Sequence, residues 1–460
     1  MDDPVSERTI IKGLVKAFNV SQTKTRGAAR WVGKNVGGSG VLREELRHIF
    51  PDHWSFFFGE IALYCFIILV ATGVFMALFF RASAAQVVYD GSYAPLRGVT
   101  MSDAYRSVLD LSFNVRAGLL IRQVHHWAAL VFAAALGLHL FRMFFTGAYR
   151  RPRIINWVVG LTLFVLVVLN GVFGYSLPDD LLSGIGLRVA YSITAAAPLI
   201  GPWMASVLFG GAFPSEALIP RIYPVHIFLV PAAIGGLLGL HLGVLWLQRH
   251  TQFPGPGRDE RTVVGTPLVP AYALRTVGFL LIVGGVLAVL GGFFQINPIW
   301  VYGPYTAWDA STLVQPDWYT GWLEGAVRLF PPWDVVIGAF RVPSLFWPAA
   351  VLPALILLPM LAWPLVDRLI SGDDRYHNLL DRPREHPVRM AIGAGTLTFV
   401  FTLLFAGGSD VWAILFGWRI ETLVLAFRIA VIALPPIVAV LTYYVCEAAS
   451  GVARGSLARR

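Results

Sequence analysis

The chain has 460 residues, of which 56% are hydrophobic and 14% charged, and its formal charge is +9. Soluble globular domains carry about 25% charged residues, so this composition excludes an ordinary water-soluble fold and makes the bilayer the solvent. Nor does the positive balance mark a nucleic-acid-binding domain, because the lysines and arginines stand beside apolar runs.

Residues 1–55 read as a cytoplasmic N-terminal segment. Within it Ile10, Ile11, Leu14, Val15 and Phe18 fall on one helix face with Lys12 and Lys16 opposite, as in a helix lying on a membrane surface. No apolar run of about 7–15 residues with a small-residue cleavage site precedes residue 50, so no removable signal peptide is expected. Apolar stretches of roughly 20 residues, enough to cross about 30 Å of hydrocarbon, then follow near 56–80, 118–145, 154–176, 222–247, 276–294, 345–366, 388–407 and 424–446. The expected fold class is an all-α integral membrane protein with eight transmembrane helices. Its parts are a four-helix transmembrane bundle over 56–250, a C-terminal transmembrane domain over 251–450 and a short cytoplasmic tail at 451–460.

Charge sets the orientation. Lys24, Arg26, Arg30, Lys34, Arg43 and Arg47 precede span one, and Arg150, Arg151 and Arg153 follow span two. Arg249, Arg258 and Arg261 follow span four, and Arg368, Arg375, Arg382 and Arg384 follow span six. The positive-inside rule places these segments and both termini in the cytoplasm. The connections at 81–117, 177–221 and 295–344 then face outward, and loops of that length usually carry function or partners. Cys65 and Cys446 lie in apolar runs without a CxxC or CxxCH pattern, which excludes covalent haem or an iron–sulfur cluster on this chain.

Five of the ten histidines fall inside two spans: His125, His126 and His139 in the second, His226 and His241 in the fourth. Ionisable groups at membrane depth mark functional sites. From His125 to His139 the helix rises about 21 Å and turns to within about 40° of the same face. From His226 to His241 it rises about 22.5 Å with an offset near 60°. Spans two and four run the same way, so His125 meets His226 near the outer surface and His139 meets His241 near the inner one. Two pairs of facing imidazoles between parallel helices describe two stacked bis-His haems, and make the first four spans a dihaem bundle. With both axial positions taken by nitrogen, the chemistry is electron transfer. A zinc or copper site needs three or four ligands at one depth, which this spacing forbids. His126 points about 100° away from His125 and is not read as a ligand.

Arg122 precedes His125 by three residues and Arg142 follows His139 by three, each placed to pair with haem propionates. Interfacial snorkelling is the plain alternative for either. Gly59 and Gly73 in span one, and Gly160 and Gly174 in span three, repeat the 14-residue spacing of the span-two histidines, and glycine lets a porphyrin edge approach the backbone. Secondary transporters share apolar spans and buried charges but do not call for paired histidines. A haem-bearing anchor subunit of a dehydrogenase would lack the outward loop described next.

From the first span to the last the sequence resembles the cytochrome b family of respiratory quinol:cytochrome c reductases. The resemblance rests on HWSFFFG in span one, IRQVHHW and LHLFR in span two, WVVG and GYSLP in span three, RIYPVHIFLVP and LH in span four, and QPDWYTGWLEG, which is similar to the family's PEWY motif. YDGSYAPLRGV, GYSLPDDLLSG, HTQFPGPGR and HNLLDRPREHPVR resemble the actinobacterial branch in particular. What the branch implies is a menaquinol donor, two non-covalent haem b groups, a Rieske iron–sulfur subunit, a dihaem cytochrome c subunit, a terminal cytochrome c oxidase in a supercomplex, a homodimer in the bacterial plasma membrane, and lipid but no nucleic acid around it. It implies an oxidoreductase and translocase in which one quinol electron goes to the Rieske subunit and the other crosses through both haems to an inner quinone, building a proton gradient. Asp317 stands where most of the family has Glu, and by analogy accepts a quinol proton; Tyr319 and Tyr175 line or gate the pocket, and Pro316 sets the chain direction. His250, nine residues after His241, is the candidate proton donor at the inner quinone site, with a solvated loop histidine as the alternative.

Overall fold

A computed structural model describes residues 45–309, 315–338 and 340–457. The surface helix expected around Ile10–Phe18 lies outside the described residues. In hydrocarbon every backbone N–H and C=O must be paired within the chain, and the apolar runs accordingly form helices. Among the described residues eight are long and apolar enough to cross a membrane: Trp54–Ala77, Gly118–Phe145, Ile154–Ser176, Leu218–Gln248, Leu268–Phe293, Trp347–Ser371, Pro387–Gly407 and Ile420–Ser450. They correspond one for one to the eight expected stretches. The ends differ where apolar residues serve another purpose: span one stops at Ala77, and Phe80 leaves the helix to lie against Tyr223 at 5.1 Å between ring centroids.

The chain packs as two units, Met1–Asp52 with Val263–Gly278 and His53–Thr262 with Phe279–Arg460. In the described part of the first, Ile49–Phe50 pairs antiparallel with Thr266–Pro267, Phe50 stacks on Tyr272 at 4.0 Å, and Asp52 accepts from Thr266 Oγ1 and Arg275.

The second unit contains the four-helix core. Small residues at the interfaces, Ala62, Cys65, Ala128 and Ala135, are buried and let the helices approach closely without an aqueous driving force. Gly59 and Gly73 of span one lie against His139 and His125 of span two, in that order, so the two spans are antiparallel. Gly160 and Gly174 of span three meet His241 and His226 of span four in the same sense. The end at which span one begins is called the near side below, and the opposite end the far side.

Arg153 ties the near side together. It is 2% exposed, and its guanidinium donates to the carbonyls of His377, Gln248 and Arg249 and to Asn378 Oδ1. The connections after spans two, four and six therefore meet on one side. Arg153, read from charge as an orientation signal, is also a buried strut. On the far side the described parts of the connections form regular elements. They carry the hairpin Gln86–Val88 with Thr100–Ser102, the helices Asp103–Phe113, Leu181–Ala195, Gly201–Phe209 and Trp318–Leu329, and the hairpin Val335–Ile337 with Phe340–Val342.

Candidate cofactor and quinol sites

The four histidines form two facing pairs. His125 and His226 lie with ring centroids 6.3 Å apart and planes 72° to each other; His139 and His241 lie 6.4 Å apart at 74°. An iron between two imidazoles needs two metal–nitrogen bonds of about 2 Å, and each nitrogen lies roughly 1.1–1.2 Å from its centroid, so the expected separation is about 6.2–6.4 Å. Both pairs fit. No group of three or more His, Cys, Asp or Glu suited to a bare metal ion occurs among the described residues.

The fourth span reaches this geometry by a device the sequence did not reveal. Val225–Leu229 is a π turn, closed by Val230 N–H on the Val225 carbonyl, and it contains His226. A π turn takes up one extra residue without advancing the helix face. The 15 residues from His226 to His241 thus do the work of 14, and the offset near 60° expected from an uninterrupted α-helix is corrected to about 40°, as on span two.

Neighbouring groups set the ring nitrogens. Thr72 Oγ1 donates to the Ile68 carbonyl at 2.6 Å and so accepts from Nδ1 of His125 at 2.8 Å; Nδ1 of His226 donates to the Asn170 carbonyl at 3.0 Å. In both rings the proton sits on Nδ1 and the lone pair on Nε2, the tautomer a metal ligand needs. A Cβ added at Gly59, Gly73 or Gly160 would come 3.3–3.4 Å from an imidazole, and one at Gly174 would come 2.4 Å from Cε1 of His226. Each glycine stands against an imidazole of the facing span, and Gly174 is the one of the four where a Cβ would strike the ring.

Arg122 and Arg142 add a second test of fit. Nη1 of Arg122 reaches the Asn297 carbonyl at 3.4 Å, and the Arg142 guanidinium stands 4.2 Å over Phe56. In both, Nε and Nη2 are buried without a hydrogen-bond partner. A buried guanidinium left unpaired is costly, and a carboxylate such as a haem propionate satisfies it.

On the far side one cavity is lined by His125, His226, Arg122, Asp317, Tyr319 and Tyr175. Asp317 and Tyr319 of the PDWY segment and the His125–His226 pair, up to 319 − 125 = 194 positions apart in sequence, are thus brought to one space. Asp317 precedes the first residue of the helix Trp318–Leu329 and accepts from Nε2 of His126 at 2.8 Å and from the Tyr319 hydroxyl at 2.9 Å. His126, set aside as a ligand, is therefore the partner of Asp317; the azimuth that turns it away from the pair turns it toward the loop. Burial, and then the Asp317 carboxylate, push the Tyr319 phenol well above its usual range, so it stays a donor. Its hydroxyl lies where Gly171 of span three leaves space. The Tyr175 hydroxyl donates to the Leu182 carbonyl at 3.2 Å. His250 lies half-buried in the coil just after span four, on the near side.

Residues 130–304 match the family described as cytochrome b(N-terminal)/b6/petB. Curated relatives called cytochrome bc1 complex cytochrome b subunit include one from Mycobacterium tuberculosis, 50% identical over 89% of this chain and 74% of its own length. Another, from Corynebacterium diphtheriae, is 46% identical over 90% and 77%, and one from Streptomyces coelicolor 45% identical over 91% and 77%. Among solved structures, a chain of a hyperthermophilic respiratory Complex III is similar with a TM-score of 0.64 and 21% identity, over 90% of this chain and 99% of that one, a likeness of fold.

Proposed function

The chain belongs to the cytochrome b family of bc1-type respiratory complexes, an integral membrane protein of electron transport that binds haem b, and on that premise we propose that its complex oxidises menaquinol on the far side of the membrane and reduces a quinone on the near side. The observation that carries this reading is the sharing of one cavity by the outer histidine pair and the Asp317–Tyr319 network.

His125 and His226 hold an outer haem, and His139 and His241 an inner one. When bound, the haems supply the single-electron path by which one quinol electron crosses to the near side, while the other leaves on a Rieske iron–sulfur subunit. Thr72 and Asn170 fix the ring tautomers, and Arg122 and Arg142 offer their unpaired nitrogens to propionates. Asp317 takes a proton from a quinol hydroxyl, oriented by His126 and Tyr319. Tyr175 walls the pocket, and Pro316 aims the chain into the helix that follows Asp317. On the near side His250 donates a proton to the reduced quinone. With the near side cytoplasmic, as the charges direct, protons leave outside and are taken up inside, so the complex acts as a quinol–cytochrome-c reductase and translocase. A dihaem cytochrome c subunit, a cytochrome c oxidase and a second copy of this chain complete the assembly that the resemblance implies.

The test is a haem count with reduced-minus-oxidised spectra of the purified complex. Two haem b per chain are expected, and His139→Ala should remove one and spare the other. A variant that keeps two haems with unchanged spectra would refute the ligand assignment.

A further inference from the structure

The PDWY segment enters its helix without a side-chain cap. Asp317 holds the position before Trp318, where an aspartate normally spends a carboxylate oxygen on the first N–H groups of the helix, yet its side chain makes no such bond. Its two oxygens accept instead from His126 and from the Tyr319 hydroxyl. What fixes the chain on either side of Asp317 therefore lies elsewhere.

The later turns of the helix Trp318–Leu329 are held by packing. Ala326 and Leu329 are buried against Leu403 and Ala406 of span seven, and the Leu329 carbonyl accepts from Nε of Arg428 in span eight at 2.9 Å. Just past the far-side end of span seven stands Asp410, 8% exposed, in the first turn of the helix Ser409–Phe416, where a negative charge is favoured. Two partners reach it from the PDWY segment. Nε2 of Gln315, two residues before Asp317, donates to Oδ1 at 2.8 Å. Arg328, in the last turn of the helix that follows Asp317, places Nη1 2.9 Å from Oδ1 and donates from Nη2 to Oδ2 at 3.2 Å, a two-pronged pair. Nε of Arg328 also donates to Oε1 of Glu324, one turn back, at 3.0 Å. A buried ion pair adds little stability over apolar residues of the same shape, so stability alone does not account for a carboxylate here. Gln315, moreover, lies outside the helix, and its bond to Asp410 secures the chain that leads into Pro316 and Asp317.

We propose that Asp410 is a positioning residue for quinol oxidation, holding the PDWY segment from both sides so that the Asp317 carboxylate stays at the cavity it shares with His125 and His226. The inference rests on the function proposed above, in which Asp317 takes a quinol proton. Asp410 does not line that cavity, so its effect runs through Gln315, two residues from Asp317, and through the placement of the helix. A displacement of about 1 Å at a reacting group costs on the order of 10²-fold in rate.

In the assembled complex, Asp410→Ala should slow reduction of the outer haem by a short-chain menaquinol analogue by roughly 10- to 100-fold, counted per haem b. In an Asp317→Asn background the same change should slow it by no more than about 2-fold, because the group that Asp410 places is already gone. General loosening of the fold would slow both backgrounds alike. A ratio of the two slowing factors of about 5 or more supports the proposal, and a smaller ratio, or a wild-type rate in Asp410→Ala, overturns it. Should Asp410→Ala lose the haems, Gln315→Ala takes its place in the same cycle, since it cuts the link toward Asp317 and leaves the Arg328 pair intact. A wild-type complex that leaves the analogue unoxidised would refute the function proposed above, and this inference with it. A working wild type in which Asp317→Asn is slow and the two changes act independently refutes the inference alone.

Discussion

Substituting alanine at the four glycines one at a time should separate them by the space behind each. At Gly160 and Gly59 the added Cβ would stand 3.4 Å from an imidazole, at Gly73 3.3 Å, and at Gly174 2.4 Å from Cε1, 2.9 Å from Nε2 and 3.0 Å from Nδ1 of His226. The first two are ordinary or slightly tight contacts. Alanine there gains up to about 1 kcal/mol of helix preference over glycine, so Gly160→Ala and Gly59→Ala are expected to be neutral within that margin. At Gly174 the ring must move by more than half an ångström, and a shift of that size strains the 3.0 Å hydrogen bond from its Nδ1 to the Asn170 carbonyl of the same helix. Overpacking of this kind costs about 1–3 kcal/mol, and about 1.4 kcal/mol is tenfold in an equilibrium, so Gly174→Ala should weaken retention of the outer haem by roughly 10-fold or more. The assay is haem content and the redox difference spectrum of the purified complex, with the inner haem as internal control. Equal retention of both haems in Gly174→Ala, or loss of a haem in Gly160→Ala, would refute the reasoning.

Asp317→Asn preserves shape but not proton acceptance, and quinol-driven reduction of the outer haem should fall by about 10²-fold or more with both haems present; a wild-type rate across the pH range would reject Asp317 as acceptor. His250→Leu should slow reoxidation of the inner haem by quinone, and an unchanged rate removes the residue from the near-side site. Asp381 joins the near-side connections, meeting Arg150 at 2.7 Å, His386 at 3.2 Å and Arg389. Burial alone would raise its carboxyl, but His386, Arg389 and Arg150 outweigh it and hold the group well below the usual carboxylate range. Its contribution is therefore complete above an unfolded-state pKa of about 3.9 and is lost as pH falls below it. Asp381→Ala should lower the melting temperature of the complex at neutral pH, through a loss on the order of 3 kcal/mol for the stranded arginines, and should make little difference in strong acid; equal melting at neutral pH would count against the cluster.

The eight spans and the depth of the histidines were legible in the sequence, because both follow from one-dimensional quantities. A bilayer demands a fixed length of apolar helix, and a helix converts residue number directly into height and azimuth. The spacing of Gly59 and Gly73, and of Gly160 and Gly174, was visible for the same reason, although what lies behind each glycine was not. Two features waited for the tertiary structure. The π turn at Val225–Leu229 is a local change of hydrogen-bond register, and Pro224 beside it signals an interrupted helix without specifying which. The partnership of His126 with Asp317 joins residues 191 positions apart through a loop whose path no periodicity encodes. Local rules fix heights and faces along each helix, and only packing decides which buried polar atoms find partners and which are left facing a substrate.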